Sequence, residues 1–256
     1  MRGAACEGRP YRDERTATQL RLCLTFPSES FRPAPNQRKR FTIPEEYLPM
    51  TLSAIEVHDL KQAPAVDGVL PIIHHRWSPR SFSARKVSPA DLAKVFEAAR
   101  WAASSYNEQP WRFLVGTRNS ISYKKMFDSL IPFNQAWAVN APVLILGAAK
   151  TTFSHNRGPN HFALYDLGAA ASYLTLQAAA LGLSTHQMAG FDHDAARQAL
   201  EIPEDYALGA VIALGYQGEP AALANEQMLT QEVAPRQRKP LKDFVFSSWA
   251  TSADLS

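Results

Sequence analysis

Downstream of Ser88, the apolar residues Leu92, Val95, Phe96 and Ala99 fall on one face of a helical repeat, with Ser88 as N-cap and Pro89 at the first helical position. The pattern predicts a helix over about four turns, ending near Ala103. Residues 111–117 read as a short buried strand, and residues 141–149 as a second, rich in Val, Leu and Ile. Between them, residues 123–130 form a predicted helix. Residues 161–181 carry Ala and Leu on nearly every face, which predicts a helix buried all round, at the centre of a domain or dimer, closed by Gly182. Asp192 or Asp194 can cap a short helix running through Leu200, and residues 207–216 give a third strand. Helices and strands alternate without an internal repeat.

Residues 1–49 show no such period. They mix Arg, Pro, Ser and scattered acids, and Pro33, Pro35, Pro44 and Pro49 interrupt any helix. The chain therefore divides into a disordered or spurious N-terminal extension, 1–49, and a working domain, 50–256. Asp13, Glu14 and Glu29 count against an acid-poor targeting peptide, and a translation start upstream of the true one explains the segment at least as well.

Composition narrows the function. With 256 residues, 46% hydrophobic and 20% charged, the chain can build one well-packed core or at most two small ones. Its formal charge of +3 is too small and dispersed for a nucleic-acid binder, although local arginine clusters can hold a phosphate. Cys6 and Cys23 both fall in the first tenth, which leaves the working domain no disulfide or thiolate metal site and fits a reducing, cytoplasmic setting. No apolar run is long enough to span a bilayer. His74, His75 and His193 lack metal-ligand spacing, so no metal is expected. A hydrolase elbow and a glycine-rich dinucleotide loop are also missing.

Two segments carry candidate chemistry. In Arg76-Trp77-Ser78-Pro79-Arg80-Ser81-Phe82, two guanidinium groups and a hydroxyl can converge on a phosphate, though a solvated basic loop would look the same. In Ser104-Ser105-Tyr106-Asn107-Glu108-Gln109-Pro110-Trp111, donors and acceptors share one loop, as the polar edge of a planar heterocycle requires, though turn chemistry uses these residue types too.

Taken together, the two segments resemble the nitroreductase family of flavoproteins, which shows Arg-x-Ser-x-Arg-x-Phe, a helix, then Ser-Ser-x-Asn-x-Gln-Pro-Trp leading into a strand. Arg76, Ser78, Arg80 and Phe82 match the first motif; Ser104, Ser105, Asn107, Gln109, Pro110 and Trp111 match the second. Collinear similarity continues through Asp166-Leu167-Gly168-Ala169-Ala170, Gly182-Leu183, Met188-Ala189-Gly190-Phe191-Asp192, Ile202-Pro203-Glu204, Leu214-Gly215-Tyr216 and the basic tail Arg236-Gln237-Arg238-Lys239-Pro240-Leu241.

The resemblance implies an α+β fold with a central mixed β-sheet flanked by helices, assembled as an intertwined homodimer with residues 241–246 as an edge strand or arm. It implies FMN as cofactor. Arg76, Trp77 and Ser78, with Arg236 and Arg238, would bind its phosphate region, and Arg80 would approach the flavin's pyrimidine edge. Ser104, Ser105, Asn107 and Gln109 would complete the partner's site, while Met188, Ala189 and Gly190 would bring backbone N–H groups to the flavin N5. No catalytic acid–base side chain is expected, because the flavin carries the chemistry. The activity implied is ping-pong transfer of hydride from NADH or NADPH to small electron-poor acceptors such as nitroaromatics or quinones. Alternatives are dehalogenation or flavin breakdown on the same fold, or a non-catalytic FMN-binding module. Phe133, Trp137, Phe153 and Tyr106 are aromatic candidates for the acceptor pocket, with core packing an equal account of the first three.

Overall fold

The computed structural model describes residues 52–223 and 225–255, so the N-terminal extension lies outside the described residues. In chain order the elements are α1 (Ala54–Leu60), α2 (Pro71–His75), α3 (Pro89–Arg100), β1 (Trp111–Thr117), α4 (Ile121–Ser129), α5 (Pro132–Ala138), β2 (Val143–Lys150), α6 (Ala163–Ala180), β3 (Ser184–Met188), α7 (His193–Leu200), β4 (Tyr206–Gly215), α8 (Glu226–Val233), β5 (Phe246–Ser248) and β6 (Thr251–Ser252).

Four strands form one sheet in the order β1-β2-β4-β3. The α+β class and the helix-flanked central sheet are as expected, and all three pairings are antiparallel. Because neighbouring side chains on a strand point to opposite faces, β2 sends Val143, Ile145 and Ala149 into one core and Leu144, Leu146 and Ala148 into another. The first core packs against α3 and α6, and the second against α4, α5 and α7. Burial on both faces explains why β2 reads as a continuous apolar run rather than an alternating one.

Local sequence sets the ends. Ser88 Oγ accepts from the Asp91 N–H at 3.0 Å and Pro89 opens α3, which stops at Arg100. Of the two acids that could cap α7, the chain uses Asp192, whose Oδ1 accepts from the Ala195 N–H at 2.9 Å. Residues 241–246 do not form one strand: a 3-10 turn at Leu241–Asp243 precedes β5, which pairs with β6 in a small hairpin.

The sheet places two loops. Trp111 pairs with Ala149 and Ala149 with Ala207, whereas Met188 pairs with Val211. The start of β1 and the end of β3 thus point toward the same end of the sheet from opposite edges, about 14 Å apart across the strands at about 4.8 Å per strand and offset by about 13 Å more along them.

Candidate functional site

Residues 76–80 are extended and alternate. Trp77 and Pro79 are buried, while Arg76, Ser78 and Arg80 face the other way. Arg76 Nη1 donates to Ser78 Oγ at 3.1 Å. Trp77 was expected among the cofactor contacts, but it is 7% exposed and packs inward with the Lys61 ammonium 5.0 Å from its ring. Period-two geometry separates it from its neighbours' polar face.

One buried carboxylate fixes this segment. Glu232, on α8 and 1% exposed, accepts the Arg80 N–H on both oxygens at 3.0 Å, and its Oε1 accepts the Ser81 N–H at 3.0 Å and the Ser81 hydroxyl at 2.8 Å. Lys61, at the end of α1, donates to the Gln231 and Ala234 carbonyls at the end of α8. Burial holds its ammonium below the usual lysine range, and the Glu232 charge opposes that shift.

The distant tail arrives at the same place. Arg236 Nη1 donates to the Lys61 carbonyl at 2.9 Å and the His74 carbonyl at 2.8 Å. The Arg76 guanidinium is lowered from its ordinary value by burial, then by the charges of Arg236 and Arg238; Arg236 is lowered by burial and then by Arg238. Three mutually repelling cations therefore converge, and among the described residues no carboxylate pairs with them or with Arg80. The Nε atoms of Arg80 and Arg236 are buried without a partner. Such a cluster is complementary to a multiply charged anion.

At the end of β3, Met188 points its side chain into the core, and Ala189 beyond it is exposed. The Gly190 carbonyl accepts from the Ile131 N–H at 3.2 Å and from Asn134 Nδ2 at 2.9 Å. A Cβ on Gly190 would come within 2.6 Å of Ile131 Cδ1 and 2.8 Å of Asn134 Nδ2, so a glycine is required by close approach. Among the described residues no acceptor meets the N–H of Ala189 or Gly190.

His186, which belongs to neither motif, lies on β3 between these two segments. Its Nδ1 is 3.0 Å from the Pro79 carbonyl, and its ring centroid is 4.6 Å from that of Trp137. Burial, with the nearby Arg80 and Arg76 charges adding to it, pushes the imidazole from 6.5 down to about 4 against the hydrogen bond to Pro79. The unfolded chain consequently takes up a proton before the folded one as the pH falls. Stability tied to His186 is complete above 6.5 and fades toward about 4. Over that window the stability difference between wild type and His186→Phe should shrink by roughly 3 kcal/mol, read from urea unfolding at stepped pH. A constant difference would show that the ring titrates normally.

The loop carrying Ser104, Ser105, Asn107 and Gln109 is built differently. Tyr106, Asn107 and Gln109 adopt positive φ of 53°, 54° and 51°, each costing about 1 kcal/mol in a non-glycine residue. Asp166 accepts the Ser105 N–H at 3.1 Å, Ser104 Oγ the Gln109 N–H at 3.0 Å, and Glu108 both the N–H and the hydroxyl of Ser154 at 3.0 Å. Tyr106 is 82% exposed, against Phe153 and His155. Among the described residues no hydrogen bond or ring contact joins this loop to residues 76–80 or 188–190. The chain thus gathers Arg76, Arg236 and Arg238 around the 76–80 segment, which His186 joins to β3, and leaves the second motif at the opposite sheet edge.

Of the aromatic candidates, Trp137 is fully buried on Phe82 and belongs to the core. Phe133 remains partly exposed, with the Arg80 guanidinium 5.6 Å from its ring. Among the described residues there is no His/Cys/Asp/Glu cluster suited to a metal, and no helix long and apolar enough to cross a membrane.

A helix-flanked antiparallel sheet thus carries an anion-seeking arginine cluster at one edge and a polar loop in left-handed backbone at the other. The chain matches the nitroreductase family over residues 73–216 and belongs to that family. A protein of Archaeoglobus fulgidus bearing the name NADH dehydrogenase/NAD(P)H nitroreductase is 33% identical over 151 residues, 57% of this chain and 84% of its own length. A crystal structure described as an oxidoreductase containing FMN is 31% identical with a TM-score of 0.69, covering 75% of this chain and 97% of its own. A nitroreductase from Desulfovibrio desulfuricans in complex with FMN shares the fold at 23% identity, with a TM-score of 0.58 over 72% of this chain and 98% of its own.

Proposed function

We propose that this oxidoreductase binds FMN at the β3 edge and works as a homodimer, using NADH or NADPH as reductant. The carrying observation is the set of guanidinium groups of Arg76, Arg236 and Arg238, repelling one another with no carboxylate among the described residues to pair with them. A terminal phosphate, with Ser78 Oγ as an added donor, has the charge and acceptors this cluster lacks. Arg80, its Nε buried and unpartnered, is suited to the pyrimidine edge of the ring, where positive charge stabilises the anionic reduced form. The unmet N–H groups of Ala189 and Gly190 are donors suited to N5. When bound, FMN supplies hydride-level chemistry at N5, linking a nicotinamide donor to a small electron-poor acceptor such as a nitroaromatic or quinone in two half-reactions.

The second motif supports the dimer. Ser104, Ser105, Asn107 and Gln109 lie across the sheet from the arginines, where a second copy can use them. Exposed Trp101, Tyr106, Tyr165 and the C-terminal Trp249, which is 94% exposed, are apolar surface suited to burial between copies. The test is the absorbance of FMN-supplemented protein before and after anaerobic NADH and NADPH. We expect bleaching by at least one nucleotide, recovery on adding a nitroaromatic or quinone, and parallel double-reciprocal plots. Protein that retains no flavin would overturn the reading.

A further inference from the structure

The two segments at the β3 edge are separate in sequence, and a planar ligand touching both needs their spacing held. Glu232 takes the backbone N–H groups of Arg80 and Ser81, which leaves the carbonyl side of the 76–80 segment to be fixed by something else. His186 fills that role, with Nδ1 3.0 Å from the Pro79 carbonyl. A carbonyl can only accept, so Nδ1 carries the hydrogen and the neutral ring exists as one tautomer. His186 pairs with Ala213 and Met188 with Val211, which puts both on the same face of β3, about 7 Å apart along the strand. Trp137, on α5, backs the ring at 4.6 Å, and the same helix supplies Asn134 to the Gly190 carbonyl.

We propose that His186 is a positioning residue that sets the 76–80 segment against the 188–190 loop, so that FMN affinity depends on its Nδ1–H donor. The proposal rests on the FMN reading above. His186 does not touch the ligand's phosphate in this scheme; it acts through Pro79 on the adjoining Ser78 and Arg80.

Two variants separate the donor from the ring. His186→Phe keeps a ring against Trp137 and loses the donor, whereas His186→Asn loses the ring and keeps an N–H near the Nδ1 position. By fluorescence titration with FMN, we expect His186→Phe to bind about tenfold more weakly than wild type and His186→Asn to stay within about threefold, since one hydrogen bond to a constrained carbonyl is worth about that much. Affinity that follows the ring, weak in the Asn variant and normal in the Phe variant, would overturn the proposal. So would equal binding by all three proteins. Wild type that binds no FMN removes the flavin reading and this inference with it, a result distinct from wild type that binds and variants that match it. A second measurement does not depend on the variants folding. Imidazole 15N shifts of the wild-type protein at neutral pH should report hydrogen on Nδ1 and a bare Nε2, and hydrogen on Nε2 would refute the assignment.

Discussion

Glu232→Ala is expected to lower the free energy of unfolding by about 3–5 kcal/mol and the melting temperature by roughly 10 °C. The carboxylate meets two backbone N–H groups and a hydroxyl in a site that water does not reach. Its removal leaves three donors unsatisfied, each costing about 1–3 kcal/mol, and deprives Lys61 of the negative charge that offsets its burial. Glu232→Gln keeps an acceptor oxygen but turns an NH2 group toward donors, so about half the loss should remain. Urea unfolding of the three proteins checks the series. An alanine variant within about 0.5 kcal/mol of wild type would show that the 76–80 segment is held by other contacts.

The second large effect concerns the arginines. Arg236→Ala should weaken FMN binding by about 100-fold, because charge-assisted bonds to a phosphate contribute about 1.5–3 kcal/mol each and this side chain also ties the tail to the Lys61 and His74 carbonyls. Arg236→Lys should recover little, since an ammonium cannot span two carbonyls and a ligand as a planar fork does. Arg238 is exposed and, among the described residues, bonds only the neighbouring Gln237 carbonyl, at 2.7 Å, so Arg238→Ala should lose about tenfold in affinity with unchanged unfolding. Equal FMN affinity in wild type and Arg236→Ala would remove the tail from the site.

Much of the fold is legible where burial is one-sided or complete. The Ser88-Pro89 cap identifies α3, and the continuous apolar run of β2 marks a central strand. Several elements that escape sequence reading have polar groups on their buried faces. In β3, Thr185 and Met188 are buried three positions apart, out of step with a period of two. Asn134 lies on the inner face of α5, and Glu232 on that of α8, where an apolar residue is the usual sign of a helix. For the same reason the polar residues that organise the site, His186, Glu232, Lys61 and Asn134, carry no motif, because their partners are backbone groups set by tertiary structure. A signal for α8 did exist in Asn225, which caps it by accepting the Met228 N–H at 3.1 Å. The motif positions Arg76, Ser78 and Arg80 are legible as a set because one extended segment presents them on one face, whereas the Trp77 side chain between them turns to the opposite face.

The arginine cluster draws Arg76 from ahead of the sheet and Arg236 and Arg238 from beyond its last strand. Every strand of the sheet can be synthesised and paired before the last of these side chains exists. If FMN binds there as proposed, its capture is a late event in the life of the polypeptide and acts as an inspection of the finished product: a chain cut short after β4 keeps Arg76, Ser78 and Arg80 but lacks Arg236 and Arg238, so truncated products would hold the flavin weakly and be marked by the loss of colour.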